Sequence, residues 1–214
     1  MNLIKNLLLL TIVVINIWII TGHGMVMNPV SRGSAWRKGF NTPKNYDDSG
    51  NFCGGFYTQH GRNNGMCGAC GDDYAIKPPR PHENGGLYGT GTIVKTYKIG
   101  SKMDIIVKLT ASHMGHFEFA LCPLKHHKDI ETDECFKKYP LRLVSGGIKY
   151  PVKIQKNGDI RVRVMLPPKL KCKHCVLRWH YRAGNNWGTC FDGTQGLGCG
   201  NQETFRTCSD IAIL

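Results

Sequence analysis

The sequence predicts an all-β fold, an antiparallel β-sandwich with long disulfide-bonded loops, and three features carry this prediction. Apolar residues alternate with their neighbours in several short segments of the second half, as in strands that bury one face. Residues 23 to 89 are rich in Gly, Pro, Asn and Asp and show little periodicity, which indicates mostly loop. Ten cysteines, an even number, are available to hold those loops.

The clearest strand pattern is the one in which Met103, Ile105, Val107 and Leu109 alternate with their neighbours. Other strands are expected at Thr92–Tyr97, Phe117–Leu121, Ile160–Leu166 after an Asn157–Gly158 hairpin turn, Leu177–Tyr181 and Glu203–Ile213. The second half contains no convincing helical period. Short strands joined by turns are typical of immunoglobulin/fibronectin-like sandwiches, and we expect the early loops to lie over one end or edge.

The first 22 residues have the pattern of a cleavable secretion signal. Lys5 supplies the positive start, Leu7–Ile20 is a run without charge, and Thr21–Gly22 offers a small residue to a signal peptidase. We therefore expect a secreted protein in which residues 23–214 form a single domain of 192 residues (214 minus 22). No second apolar run is long enough to span a bilayer, so no membrane association is expected after cleavage.

All ten cysteines follow the predicted signal, and two explanations compete for them. An exported chain is oxidised, which favours up to five disulfides. Alternatively, Cys67–Cys70 and Cys172–Cys175 would be the two halves of a zinc site, since each has the Cys-x-x-Cys spacing. The halves lie about a hundred residues apart, far beyond the usual spacing of a zinc finger, so disulfides are favoured.

The chain is strongly basic, with a formal net charge of +13, and loss of Lys5 with the signal leaves about +12. The basic residues are scattered and form no arm or tract, as nucleic-acid binding would require. We expect no nucleic-acid partner, and instead a solvated basic surface or attraction to an acidic matrix.

His23 would be the first residue after signal cleavage, and a terminal histidine has its own chemistry. Its α-amino group, with a pKa near ~8, is readily deprotonated under a metal and closes a chelate ring with Nδ1 of the same residue. One further imidazole would place three nitrogens in a T-shaped, tetragonal arrangement that suits copper(II). The alternative is a terminal histidine without a role, or cleavage one or two residues away.

His113 is the best partner for His23 among the other eight histidines. It follows Leu109–Ser112, where a strand gives way to a bend, and such a rim position lets a side chain reach a site. His116 is three residues further on, a spacing that would share a face of a helix but not of this strand and turn. A simple two-histidine zinc site is therefore disfavoured.

The sequence closely resembles the lytic polysaccharide monooxygenases of auxiliary activity family 15, over essentially the whole chain after the signal. The resemblance lies in His23-Gly24, Asn28–Arg32, Trp36–Phe40, Cys53–Gly55, Cys67–Asp72, His82–Gly86, Thr110–His113, Phe117–Pro123, Cys175–Tyr181 and Gly198–Cys208.

This resemblance implies a histidine brace, in which the terminal amine and Nδ1 of His23 and Nε2 of His113 hold one copper ion. Phe205 would close one axial side with an apolar ring, where some relatives place Tyr. Glu203, two residues earlier on the same strand face, would hydrogen-bond the oxygen species at the copper. Ala111 would pack as a small residue on the other axial side and control access.

The resemblance further implies a secreted, monomeric copper enzyme that oxidatively cleaves glycosidic bonds in insoluble, crystalline polysaccharide. It would use an external electron donor, with O2 or H2O2 as co-substrate. Chitin is the first expected substrate and cellulose the alternative, and Trp36 and Tyr57 are candidates for contacts with sugar faces.

A rival interpretation is a non-catalytic chitin-binding extracellular or virulence protein built on the same fold. Such a protein would need no intact terminus, and an inactive relative would be expected to lose a brace histidine, whereas both are present here. The sequence shows no Ser-His-Asp or Cys-His grouping, and a hydrolase would need two carboxylates flanking a cleft.

Overall fold

The computed structural model describes residues 23–153 and 157–214, with the backbone alone at His23. The predicted signal, residues 1–22, lies outside the described residues. The strands of the described chain are β1 (His23–Asn28), β2 (Lys95–Tyr97), β3 (Lys102–Ala111), β4 (His116–Pro123), β5 (Arg142–Leu143), β6 (Tyr150–Pro151), β7 (Gly158–Met165), β8 (Cys172–Arg182), β9 (Trp187–Thr189), β10 (Gln195–Leu197) and β11 (Thr204–Ile213).

The strands form two sheets that pack face to face, which confirms the predicted all-β sandwich. One sheet has the order β1-β3-β7-β5 and the other the order β2-β11-β8-β4-β6, while β9 and β10 form a separate hairpin. The pairs are antiparallel with one exception among the described strands, because β2 runs parallel to β11. This parallel edge strand departs from the fully antiparallel sandwich that the sequence predicted.

The core lies between the two sheets and follows the predicted alternation. Met103, Ile105, Val107 and Leu109 of β3 are each at most 1% exposed. The facing sheet contributes a set of buried aromatic rings: Phe117, Phe119, Trp179, Tyr181 and Phe205. Because burial of each large apolar side chain is worth roughly 1.5–3 kcal/mol, this interior is the main stabilising element of the sandwich.

A strand near the start of the described chain and a short helix are among the elements that the sequence pattern did not predict. His23–Asn28 falls in the stretch expected to be mostly loop, yet it is a strand because it pairs with the edge of β3. Gly24 permits this close pairing, since a Cβ there would lie 2.7 Å from Leu109 Cδ2. A short helix, α1 (Asp133–Lys138), is capped by the Thr132 side chain, which accepts from the Cys135 N–H, and is too short to show a period. No helix in the described part of the chain is long and apolar enough to cross a membrane.

Five disulfides account for all ten cysteines, as predicted. The pairs are Cys53–Cys67, Cys70–Cys208, Cys122–Cys135, Cys172–Cys175 and Cys190–Cys199. The zinc alternative is wrong, because all four cysteines of the two Cys-x-x-Cys motifs are in disulfides and none is free. Glu131 lies beside Cys70 and Cys208, but both sulfurs belong to one disulfide and so offer no thiolate to a metal.

The early loops pack against the outer face of β11. The Arg206 N–H donates to the Asn51 carbonyl over 3.0 Å, and its guanidinium donates to the carbonyls of Cys67 and Gly68 over 3.2 Å. The Cys70–Cys208 bond joins the same two segments covalently. The loops thus cover a face of the five-stranded sheet and do not merely cap an end.

A buried ion cluster centred on Arg32 holds these loops to β11. Its guanidinium donates to both carboxylate oxygens of Asp210, over 2.8 and 2.6 Å, and also to Glu131 and to the His82 carbonyl. Burial alone would raise the pKa of Asp210, but the Arg32 charge and its hydrogen bonds outweigh that effect and lower it to about 2. The ionised form of Asp210 is therefore stabilised by folding.

We predict that this cluster makes stability depend on pH at the acid end. An Asp carboxyl has a pKa near ~3.9 in the unfolded chain. Since the folded value is lower, the contribution of Asp210 is complete above pH ~4 to 5 and is lost as the pH falls towards 2. Asp210→Asn should lower the free energy of unfolding at pH 7 by on the order of 3 kcal/mol, because it leaves Arg32 partly uncompensated.

Thermal unfolding of wild type and Asp210→Asn at pH 7, 4 and 2.5 measures this effect. The variant should lose less stability than wild type between pH 4 and 2.5. Asp104→Asn is the matched control, because Asp104 pairs with Arg163 at the surface, where ion pairs contribute little. Equal pH slopes in wild type and Asp210→Asn would contradict the prediction.

Candidate metal centre

His113 lies in the bend that links β3 to β4, as the break in the strand pattern predicted. The backbone of this bend is unusual, because Met114 and the next residue both have positive φ, 54° and 82°. Only glycine fits at Gly115, since a Cβ there would lie 2.1 Å from the Arg182 carbonyl oxygen. The local sequence His-Met-Gly therefore turns the chain sharply immediately after His113.

The His113 side chain is buried and its ring is oriented by a carboxylate. Nδ1 lies 3.1 Å from Glu203 Oε2, and His113 is 6% exposed. A histidine whose Nδ1 is bound to a carboxylate offers Nε2 as its metal-ligating atom, an arrangement common in metal sites. An imidazole nitrogen suits copper, so the residues present fit the metal that the resemblance implies.

His23 starts the strand that borders this bend. In the antiparallel pairing of β1 with β3, His23 stands opposite Ala111, two residues before His113. Directly paired residues in such a ladder have Cα atoms about 4.5–5.5 Å apart. The backbone of His23 is thus beside the end of β3, while its side chain lies outside the described atoms, so the ligand role predicted for it stays a prediction.

Phe205 and Glu203 lie at the start of β11, although Glu203 comes immediately before the strand and not within it. Phe205 is 1% exposed, and its ring stacks on Tyr181 with a centroid distance of 5.6 Å. A second ring, Phe52, lies 6.4 Å away. The structure therefore brings Glu203 to His113 directly, whereas Phe205 is a core aromatic that packs against Tyr181 and Phe52.

Two residues that contact the bend were not among the predicted site residues. The Tyr181 hydroxyl accepts the His113 N–H over 2.8 Å, and Asn157 Oδ1 accepts the Ser112 N–H over 3.1 Å. Burial raises the pKa of Tyr181 to about 12, so the hydroxyl keeps its proton. In the sequence Tyr181 is one apolar position of a strand pattern and Asn157 part of a turn, and neither pattern indicates these contacts.

The two residues predicted to contact sugar differ in exposure. Tyr57 is 70% exposed, whereas Trp36 is half-buried. The Trp36 indole N–H donates to the Asn45 carbonyl, and its ring packs edge-on against Tyr46. Other aromatic side chains are also exposed, among them Trp187 at 69%.

Two clefts of the described surface lie elsewhere. One, of about 540 Å³, lies over the outer face of β4 and β8 and is lined by Glu118, Arg178 and His180 among others. A second, of about 390 Å³, lies between the early loops and α1. Neither of these two clefts is lined by His113, Glu203 or Phe205.

Comparison with known proteins identifies the family. Residues 23–211 match the family model described as lytic polysaccharide mono-oxygenase, cellulose-degrading. A solved structure, a lytic polysaccharide monooxygenase AA15 from Thermobia domestica in the Cu(I) state, is similar with a TM-score of 0.88 and 44% sequence identity, covering 89% of this chain and 98% of that one. A comparison with curated proteins finds no match. The chain therefore belongs to the lytic polysaccharide monooxygenases, copper-dependent enzymes that cleave polysaccharide oxidatively.

Proposed function

We propose that the active protein is a secreted, monomeric, single-domain enzyme, residues 23–214, in which His23 and His113 hold one copper ion. The observation that carries this proposal is the register of β1 on β3, which puts the backbone of His23 opposite Ala111 and next to the bend of His113. The family match supports it, since it also begins at residue 23. Removal of residues 1–22 would free the amine that the brace needs.

The protein's own groups prepare His113 for this role. Glu203 accepts a hydrogen bond from Nδ1–H, which fixes the tautomer with its lone pair on Nε2 and limits rotation of the ring. Phe205, a buried apolar ring without a phenol oxygen that could compete as a ligand, would close one side of the copper site. The second Glu203 oxygen, Oε1, is the atom that would accept a hydrogen bond from the oxygen co-substrate.

Bound copper would supply the redox chemistry that side chains lack, using an external electron donor and O2 or H2O2. The substrate is an insoluble polysaccharide, for which we propose chitin first and cellulose as the alternative. The matched family model is described as cellulose-degrading, and this favours testing both polymers side by side. The exposed ring of Tyr57 is available for contact with a sugar face.

The decisive experiment compares two forms of the protein, one beginning at His23 and one that retains Gly22 before it. Both are loaded with copper and incubated with ascorbate and β-chitin, or with cellulose, and the soluble products are analysed by mass spectrometry. The first form should release oxidised oligosaccharides that disappear without reductant and in His113→Ala. The form with Gly22 should release none, because its amine is displaced from the chelate ring.

Equal product release from both forms would contradict the terminal ligand. Binding of the polymers without oxidised products, in the form that begins at His23, would instead favour the non-catalytic chitin-binding alternative. The polymer that yields products identifies the substrate.

We also predict that Glu203 tunes copper affinity through His113. Glu203→Ala should weaken Cu(II) binding about 10- to 100-fold, the usual effect of removing a carboxylate that orients a ligating histidine. Glu203→Gln should have a smaller effect, because its amide oxygen still accepts from Nδ1–H. Competition with a chelating dye measures both affinities.

Glu118→Gln is the control for this series. Glu118 also contacts a histidine, since His116 Nε2 lies 3.0 Å from its Oε1, but this pair is not part of the candidate centre. The control should bind copper like wild type. Wild-type affinity in Glu203→Ala would show that the carboxylate does not orient a ligand.

A further inference from the structure

We propose that Tyr181 and Asn157 are positioning residues of the copper site, because their side chains hold two consecutive backbone N–H groups of the bend that carries His113. This inference rests on the proposed function, in that it takes His113 as a copper ligand. It adds two residues from different segments, one buried in β8 and one exposed on the connection before β7.

The bend has an unusual backbone conformation. Met114 has a φ of 54°, in the left-handed region that is unfavourable for a residue with a side chain. Gly115 follows with a φ of 82°. Such backbone persists only where the surroundings over-determine it. The chain beside His113 therefore needs external contacts to keep its shape.

The regular ladder of β3 ends before the bend. The pairing of β3 with β7 ends at Leu109 opposite Gly158, and on the other side β1 is paired as far as Ala111. Ser112 and His113 therefore lie beyond the registered pairs of these two ladders. Asn157, which directly precedes Gly158, supplies a side-chain carbonyl to the Ser112 N–H over 3.1 Å and so continues the pairing by one bond.

Both backbone polar groups of His113 are hydrogen-bonded. Its N–H donates to the Tyr181 hydroxyl over 2.8 Å, and its carbonyl accepts from the Gly184 N–H over 2.8 Å. Both partners come from β8 or the residues just after it, and the ring of Tyr181 is fully buried between the sheets. Tyr181 thus connects the rigid core directly to the backbone of a copper ligand.

These contacts have a chemical consequence. A metal site tolerates little displacement of a ligand, and an error of about 1 Å in the position of a reacting group can cost about 100-fold in rate. Loss of the Tyr181 hydroxyl leaves the buried His113 N–H without a partner, so the bend should shift towards an alternative that satisfies it. Loss of the Asn157 carbonyl removes one of the contacts that hold Ser112, the residue before His113.

The test uses full-length mature protein and two matched pairs of variants. Tyr181→Phe removes the hydroxyl that holds the bend. Tyr97→Phe, its control, removes a buried hydroxyl for which the described residues offer no hydrogen-bond partner. Asn157→Ala removes the carbonyl, whereas Asn157→Asp keeps an acceptor oxygen at the same place. The readouts are Cu(II) affinity by calorimetry, the Cu(II) electron paramagnetic resonance spectrum and the melting temperature of the metal-free protein.

We expect Tyr181→Phe to weaken Cu(II) binding about tenfold and to alter the spectrum. Tyr97→Phe should leave both unchanged. Asn157→Ala should change the spectrum with little change in melting temperature, because the residue is exposed, and Asn157→Asp should restore the wild-type spectrum.

A lower melting temperature in Tyr181→Phe with unchanged affinity and spectrum would overturn the proposal, since Tyr181 would then act on stability alone. Equal spectra for wild type and Asn157→Ala would overturn it for Asn157. Failure of the proposed function would give a different result. Wild-type protein would then bind copper no more tightly than His113→Ala.

Discussion

Strand β3 is the constraint on which both the fold and the candidate copper site depend. Its inner side chains, Met103 to Leu109, fill the core, while its two edges pair with β1 and β7. The same strand ends in the bend of His113. Because the pairing of β1 is fixed by this strand, the position of His23 relative to His113 follows from the sheet itself. A slip by one residue would turn the core side chains to solvent, so the register is strongly specified.

The aromatic side chains of the facing sheet connect the packed core to the candidate copper site. Tyr181 stacks on Phe205 and on Trp179, with centroid distances of 5.6 and 5.8 Å, and packs edge-on against Phe117. Each such pair contributes about 0.5–1.5 kcal/mol beyond its buried area. Because the Tyr181 ring is packed on several sides, its position is fixed. The position of its hydroxyl is therefore fixed as well. Through Tyr181 the packed interior therefore holds the site in place, and Asn157 adds a contact from the exposed connection before β7.

Sequence periodicity predicted the strands that have one buried face, and the strand-to-bend transition predicted the location of His113. Periodicity could not predict β1, because this strand exists through its pairing with a segment about 80 residues away. It could not predict the cysteine partners either, because these depend on tertiary distance. The roles of Tyr181 and Asn157 were hidden for the same reason. A hydrogen bond from a side chain to a distant backbone leaves no periodic trace, and each residue has an ordinary local explanation, as a core aromatic or as a turn residue.

The position of His113 at a strand end also bears on the physical state of the substrate. A chain within a crystalline polymer cannot be drawn into a cleft without first being detached from its neighbours. Two clefts of the described surface are separate from His113 and Glu203, and lie over the outer sheet face and beside α1. His113 instead lies in the bend at the end of β3, from which a site can approach a surface. A flat polymer surface leaves the alignment of the ligands to contacts within the protein, and this gives the buried contacts behind His113 their importance.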